Sequence, residues 1–543
     1  MKGEHFITPH LVLRTILSLR EREALASVFE YRRMQCLVRC AEVAQLAERW
    51  IVDPEVKGST PFFGIYMDLV QPRLSRGLRD LLPEDTLARQ HMIDVVRSVY
   101  ELYGFAPLTT PAVEYLDVLS GSGGQEIQQS IFTVQNPEKE QLGLRFDHTV
   151  PLARVIAQYK ELPKPFRRYT IGTVWRADKP GPGRFREFMQ FDIDSVGVVS
   201  EMADTEIISV ICDSMEALGV SNYQVRFSSR RVLNLLLAYA SITPERAADV
   251  FRVIDKLEKI GRAKVRLELT TGYMDESGDK IPGLGLSVDQ VDQIERFLAI
   301  QSTRRSDVIR QLNETFGSIP GANDEITVLE RISHNLEVAG YHDDRVVIDL
   351  SIARGLVYYN GPVFETILLD APQFGSVFSG GRYDDLVMRF LGERVPATGA
   401  SMGVDRLLAA LRALEKIKVR KSTADVFVTT FDPQMKDDYI AMTYELRRAG
   451  IRTELYLGAD KAGKQIKYAD KLEIPVVLLY GPDEKAKGVV TIKDMSVGRA
   501  RTRQLTENRD QWLQERPGQF EVPRENLVRA VRELFARSAS EQL

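Results

Sequence analysis

Between Phe166 and Gly197 the chain reads FRRYTIGTVWRADKPGPGRFREFMQFDIDSVG, a stretch dense in arginine, carboxylate, amide and aromatic side chains. With the period-two alternation of a strand, Arg184, Arg186, Phe188, Gln190, Asp192 and Asp194 share one face, while Phe185, Met189, Phe191 and Ile193 share the other. Arg176 joins the polar face from across a hairpin. Guanidinium forks suit phosphate oxygens, a flat ring suits a base, and carboxylates suit an ammonium group or Mg²⁺. The competing reading is an exposed, salt-bridged hairpin.

The elements that must position these groups are also legible. Runs rich in aromatic and β-branched residues at 169–175 and 185–195 flank Lys179-Pro180-Gly181-Pro182-Gly183, which supplies turn chemistry. Upstream, Pro83 opens a helix with apolar spacing through Leu87, Ile93, Val96, Val99 and Leu102 that stops at Gly104, and a strand is expected at 107–111. The cluster Ser120-Gly121-Ser122-Gly123-Gly124 has no following Lys-Ser/Thr and is not read as a phosphate loop. Asp147 and Thr149 fall where a β segment leads into a helix near Val150-Pro151, where an Asp commonly caps.

Downstream, 201–218 reads as an amphipathic helix, and 236–325 as a helical module in which Thr243-Pro244 caps a helix ending at Gly261 and Ser287 with Gln290 forms a capping box. Strands return at 345–350 and 363–368, around the run ARGLVYYNG that carries Arg354, Tyr358 and Tyr359. SGGRYD carries Tyr383, and GASMGVDRL opens a helix with Arg406 in its first turns. After a charged linker, strands at 424–430, 452–456 and 475–480 alternate with helices at 435–449 and 462–472, predicting a parallel or mixed α/β sheet. Lys461, Lys464, Lys467, Arg499, Arg501 and Arg503 offer basic surface to RNA phosphates or simply a solvated face.

Composition bounds the function. With 543 residues, of which 44% are hydrophobic, the chain can bury several cores, and 72 Lys+Arg against 76 Asp+Glu exclude a general polycation. Three cysteines, Cys36, Cys40 and Cys212, form neither a disulfide framework nor a zinc set. No apolar run reaches membrane-spanning length and no signal segment opens the chain, so a cytoplasmic protein without a membrane partner is expected.

Residues 1–66 differ in texture. Back-translated with permitted codons, residues 41–64 close into the stems of a tRNA cloverleaf with GTG, the histidine anticodon, at Ile51-Val52-Asp53. This part is expected to be the translation of a tRNA gene without an independent fold, with Met67 as the initiator.

From residue 71 to 535 the chain resembles histidyl-tRNA synthetases, a family of class II aminoacyl-tRNA synthetases. RGLRDLLP and its helix resemble motif 1, the hairpin motif 2, and GASMGVDRL motif 3, while ARGLVYYNGPVFE and SGGRYDDLV resemble the two histidine-specific motifs. The resemblance implies an α+β fold: a class II antiparallel sheet with flanking helices, a helical insertion and a C-terminal α/β anticodon-binding domain. The implied division is catalytic domain at 67–235 and 326–415, insertion at 236–325, linker at 416–422 and anticodon-binding domain at 423–543.

It further implies that histidine and ATP, with Mg²⁺, give histidyl-adenylate, that the histidyl group passes to histidine tRNA, and that the protein is a homodimer without a bound organic cofactor. By position, Arg176 holds the α-phosphate with Arg354 opposite as the two catalytic cations, Arg184 holds the terminal phosphates, Phe188 stacks on adenine, and Asp178 and Arg406 also contact ATP. Asp147, Thr149, Gln190 and Asp194 surround the α-amino group, and Tyr358, Tyr359 and Tyr383 line the imidazole pocket. No protein ligand to a metal is assigned.

Two departures stand out. Val357 occupies a position that is usually acidic or an amide in the family, and the loop DKPGPGRFREF resembles one bacterial branch. The back-translated tRNA would also lack the extra 5′ guanosine, so an enzyme that reads a tRNA without it is expected. Rival readings are a silent histidine-binding paralogue that regulates ATP phosphoribosyltransferase, and another class II synthetase of prolyl, threonyl or glycyl type.

Overall fold

The computed structural model describes residues 70–120, 125–181, 184–352, 358–417, 419–497 and 518–540. The expectations for 1–66 and Met67, for 121–124, for Arg354 and Val357, and for Arg499, Arg501 and Arg503 lie outside the described residues.

Helix α1 (Pro83–Leu102) begins with proline at its first position and Glu84 and Asp85 in its first turn, where a missing N–H costs nothing and acidic groups meet the positive end of the dipole. Gly104, at φ +76°, turns the chain out of it into β1 (Ala106–Pro107). The expected strand at 107–111 shrinks to this pair because prolines at 107 and 111 cannot donate to a ladder, although Leu108 still donates to the Tyr169 carbonyl at 2.9 Å. Strands β2 (Val113–Tyr115), β3 (Thr133–Gln135) and β4 (Gln141–Leu144) form a small antiparallel sheet in the order β2-β4-β3, followed by α2 (Thr149–Gln158).

The hairpin is β5 (Phe166–Trp175) and β6 (Glu187–Val196), paired antiparallel from end to end. Next come α3 (Glu201–Ala217), β7 (Tyr223–Ser229) and α4 (Arg230–Tyr239), then a largely helical stretch that contains the ribbon β8 (Gly272–Met274) and β9 (Lys280–Pro282) and ends with α5 (Ala322–Val338). The Ser287/Gln290 capping box is present as expected. The expected stop at Gly261 is present as a non-helical break, at φ +77° and ψ 163°, between two helical runs within Leu257–Leu269, although the helix from Ala247 already ends at Ile254. Helix α5 also continues past residue 325, where sequence reading set the boundary, and residues of the helical stretch share one hydrophobic core with the large sheet.

That sheet is completed by β10 (Val346–Ile348), β11 (Pro362–Leu368), β12 (Phe378–Arg382) and β13 (Ala397–Gly403), the last running into α6 (Val404–Ala413). Its order is β1-β5-β6-β13-β12-β11-β7-β10, antiparallel except for the parallel edge pairs β1/β5 and β7/β10. One face is apolar, with Phe191 and Ile193 of β6 packed against Met92, Val96 and Tyr100 of α1, Ile207 and Ile211 of α3 and Leu407 of α6. The opposite face carries Arg168, Asp192 and Asp194, and beside it a second apolar cluster joins Phe146, Val150 and Leu152 to Tyr358, Tyr383 and Ala397. Alternation along β6 therefore separates core from site, as period two requires.

The C-terminal sheet comprises β14 (Val426–Val428), β15 (Thr453–Leu455), β16 (Val476–Leu479), β17 (Val489–Asp494) and β18 (Gln519–Pro523). Its order is β15-β14-β16-β17-β18, parallel among the first three and antiparallel thereafter. The expected mixed α/β sheet is present, with two strands, β17 and β18, that sequence reading had not placed.

Candidate active site

The cross-strand register builds the polar face in rows. Asp194 lies between Arg168 of β5 and Gly399 of β13, Asp192 between Thr170 and Ser401, and Gln190 between Gly172 and Gly403. Gly399 is obligatory in the first row, because a Cβ there would come within 2.1 Å of Asp194 Oδ1 and 2.5 Å of the Ile193 carbonyl.

A cavity of about 210 Å³ opens at the Gln190 end of this face. Arg176, Asp178, Arg184, Phe188 and Arg406, the five residues matched to ATP contacts, all line it, and so does Gln190. Arg176 donates from Nε to the Phe146 carbonyl at 3.0 Å, and its guanidinium lies 5.2 Å from the centre of the Phe188 ring. Arg406 donates from Nη1 to the Ser376 carbonyl at 2.6 Å. Gly181 and Arg184 exchange backbone hydrogen bonds of 3.2 and 2.9 Å, closing the loop that brings Arg184 to the rim. Three guanidiniums around one cleft with an aromatic wall have the chemistry to take a polyanion and a base.

Deeper on the same face are the carboxylates. Asp147 caps α2 as expected, its Oδ1 accepting from the backbone of Thr149 and Val150 at 3.2 and 3.0 Å. Its other oxygen is free for a second task and accepts from the Tyr358 hydroxyl at 3.1 Å. Asp194 accepts from the Tyr383 hydroxyl through Oδ1, and its Oδ2 sits 2.7 Å from Arg168 Nη2. The rings of Tyr358, Tyr359 and Tyr383 meet edge to face with centroids 5.1 to 6.4 Å apart, forming an aromatic wall. All seven residues matched to histidine contacts except Gln190 and Thr149 therefore belong to this carboxylate–tyrosine group or its wall; Thr149 starts the capped helix, and Gln190 stands at the junction with the arginine-lined cavity.

Burial shapes the charges. It raises the Asp147 and Asp194 carboxyls, opposed by Arg176 for the first and by Arg168 for the second. Asp192 is pushed up to about 7 by burial and by the neighbouring Asp194, against the attraction of Arg168 and a hydrogen bond from Ser401. His148 is driven down to about 3 by burial and by Arg145 and Arg168, so its ring is neutral, with Nε2 donating to the Gly172 carbonyl at 3.1 Å. Burial thus disfavours the charged forms of three carboxyls on this face, and a cationic group bound beside them would favour those forms.

One sequence expectation needs correction. Phe185 does not share the apolar face with Phe191 and Ile193: β6 begins at Glu187, so alternation does not extend to residue 185, and its ring instead lines the cavity beneath the Arg79 guanidinium at 3.7 Å. Arg79 is held by Asp405 Oδ1 at 2.8 Å, whose Oδ2 accepts from the Met189 backbone at 2.7 Å. Residues 79 and 405 were passed over because neither carries a signal apart from its motif. Arg168 and Ser401 were also missed, although both occupy the polar parity positions of their strands, opposite Asp194 and Asp192.

The C-terminal sheet has a cleft of its own, about 470 Å³, where the chain leaves the carboxyl ends of β14 and β15. Phe431, Tyr456, Leu457, Lys436 and Lys461 line it, at a point where the strand order reverses direction from β14.

Comparison with known proteins gives consistent matches. The family model described as histidyl-tRNA synthetase matches residues 77–407, and the one described as anticodon binding domain matches 425–534. A protein of Cereibacter sphaeroides named histidine–tRNA ligase is 44% identical over 484 residues, covering 85% of this chain and 97% of the relative. The crystal structure of histidyl-tRNA synthetase from Nostoc sp. PCC 7120 aligns with a TM-score of 0.71 at 31% identity, covering 86% of this chain and 100% of that one. An ATP phosphoribosyltransferase regulatory subunit/histidyl-tRNA synthetase from Bacillus halodurans, 22% identical with a TM-score of 0.59, covers 72% of this chain and 95% of its own and shares the fold.

Proposed function

The chain belongs to the histidyl-tRNA synthetase family, and from that premise we propose that it is the ATP-dependent ligase that charges histidine tRNA, with the residues of the large sheet's polar face in the following roles. A histidine carboxylate oxygen attacks the α-phosphorus of ATP, the bond to the bridging oxygen breaks, and pyrophosphate leaves. A terminal ribose hydroxyl of the tRNA then attacks the carbonyl carbon of the adenylate and AMP departs.

The observation that carries this reading is the junction of two unlike compartments at Gln190. On one side, Arg176, Arg184, Phe188 and Arg406 line one cavity; on the other, Asp147 and Asp194 face the tyrosine wall. ATP and histidine placed accordingly meet carboxylate to α-phosphate beside Arg176. Both reactants are anionic there, so the reaction needs preorganised cations more than covalent assistance from the protein. Arg176 supplies one, and Arg354 is proposed as the second. Arg184 and Asp178 attend the terminal phosphates, Phe188 and Arg406 sandwich adenine, and Asp147, Thr149, Gln190 and Asp194 receive the ammonium group. Tyr358, Tyr359 and Tyr383 enclose a neutral imidazole, since a charged ring would lose hydration without a full counter-charge.

The cleft beyond β14 and β15 offers aromatic and basic side chains for a splayed anticodon base. Its presence, with the arginines intact, supports a charging enzyme over a silent regulatory paralogue. A homodimer, as the resemblance to the family implies, is part of the same reading. Transfer of labelled histidine to a histidine tRNA transcript tests the proposal: ATP-dependent charging is expected, and histidine binding without charging would overturn it.

A further inference from the structure

We propose that Gln465 is a positioning residue that fixes the width of the C-terminal cleft, holding its two walls at the spacing that an unstacked anticodon base requires. The proposal rests on the reading of that cleft given above and goes beyond it by naming what preorganises it.

The walls are the segments that follow β14 and β15: residues 430–433 on one side and 456–461 on the other. The paired registers of β14 end at Val428, so the backbone groups of Thr430 need partners from elsewhere. Gln465, in the helix Ala462–Lys471, supplies them. Its Oε1 accepts from the Thr430 N–H at 2.8 Å, while its Nε2 donates to the Thr430 carbonyl and to the Asp460 carbonyl, both at 2.6 Å. One amide therefore binds both backbone groups of a residue in the first wall and a carbonyl of the second. Thr430 Oγ1 adds a direct bond across to the Tyr456 carbonyl at 3.1 Å.

Only one orientation of the amide satisfies this set. Turned over, its oxygen would face two carbonyl oxygens and its NH₂ group would face an N–H. Gln465 is fully buried, so the bridge is shielded from competing water. The groups it places are not held by burial of their own: Phe431, directly after Thr430, and Leu457, three residues before Asp460, are both exposed and both line the cleft. The backbone of each wall therefore sets where they stand. A base that enters between them loses less free energy to ordering when the walls are already fixed. Without the bridge, three backbone groups must find other partners, the walls take other spacings, and only the fraction of molecules with a formed cleft binds.

The test uses Q465M, which keeps the length of the side chain without its polar atoms, and Q465E, which keeps the acceptor and removes both donors. In each, the KM for a histidine tRNA transcript in charging is expected to rise about tenfold, as when the formed cleft falls to about a tenth of the population. Charging of an RNA made of the acceptor and T arms alone, and histidine-dependent ATP–pyrophosphate exchange, should stay within about twofold of the parent, since neither involves the anticodon. Equal weakening with the shortened RNA, or an unchanged tRNA KM in both variants, would overturn the proposal. Far-UV circular dichroism and limited proteolysis should match the parent; loss of the C-terminal fold in both variants would assign Gln465 to stability alone and also overturn it. F431A is the control for the underlying reading. If F431A leaves the tRNA KM unchanged, the cleft does not take the anticodon; if F431A raises it and neither Gln465 variant does, the bridge alone is wrong.

Discussion

Arg168 and Asp194 face each other across β5 and β6 with Nη2 and Oδ2 2.7 Å apart, both nearly inaccessible to solvent. Arg168 also donates to the His148 carbonyl at 3.0 Å, tying the hairpin to the start of α2. Asp194 is therefore held from one side by a guanidinium and from the other by the Tyr383 hydroxyl, so its carboxylate is fixed before substrate arrives. Replacing Arg168 by Leu should destabilise the protein by about 3–5 kcal/mol, because it leaves a buried carboxylate without its counter-charge. Urea unfolding of the variant reads this loss directly, and an unchanged midpoint would show that the pair is not a structural anchor.

Gly399 makes room for that carboxylate. Since a Cβ at this position would lie 2.1 Å from Asp194 Oδ1 and 2.5 Å from the Ile193 backbone, Gly399→Ala must displace either the side chain or the strand. A raised histidine KM with a smaller change in the KM for ATP is expected from steady-state pyrophosphate exchange. Equal effects on both substrates would mean that the strand, rather than the side chain, had moved.

The α-phosphate clamp is tested by removing its cations singly. Arg176→Ala and Arg354→Ala should each slow adenylate formation by about 10²-fold or more, as for loss of one preorganised charge-stabilising donor. Single-turnover adenylate formation at saturating substrates measures the step, and a parental rate in either variant would remove that arginine from the clamp.

Acid should destabilise the fold through His148. Its ring is held down to about 3 against an ordinary value near 6.5, so the unfolded chain takes up a proton that the folded one refuses. The stability this represents is fully present above about pH 6.5 and is lost as pH falls toward 3. Asp192 slopes the other way: raised to about 7, it favours the folded state below the ordinary carboxylate range, and that contribution is lost as pH rises through about 7. The two windows overlap between pH 3.8 and 6.5, so the His148 contribution is read by difference: in His148→Gln the loss of stability between pH 7 and pH 4, measured by denaturant titration, should be smaller than in the parent.

Much of this was legible in sequence because strand parity and turn chemistry are local. The hairpin, its polar face, the Asp147 cap and the Ser287 box all follow from spacings of two to four residues. What escaped depends on register between distant strands. Nothing near Ser401 announces that it lies opposite Asp192, and Arg168 reads as an ordinary basic residue until β5 pairs with β6 and places it against Asp194. The parity argument itself failed at Phe185, just beyond the end of the strand to which it applied. Strands β17 and β18 escaped because their pairing partners are set by the C-terminal sheet as a whole.

The central claim is that one face of the large sheet joins an ATP site to a pocket for histidine. Amino-acid-dependent ATP–pyrophosphate exchange, run separately with each of the standard amino acids, tests it most directly. The account predicts exchange with histidine and none above background with the others; exchange driven by a different amino acid, or none with histidine, would contradict it.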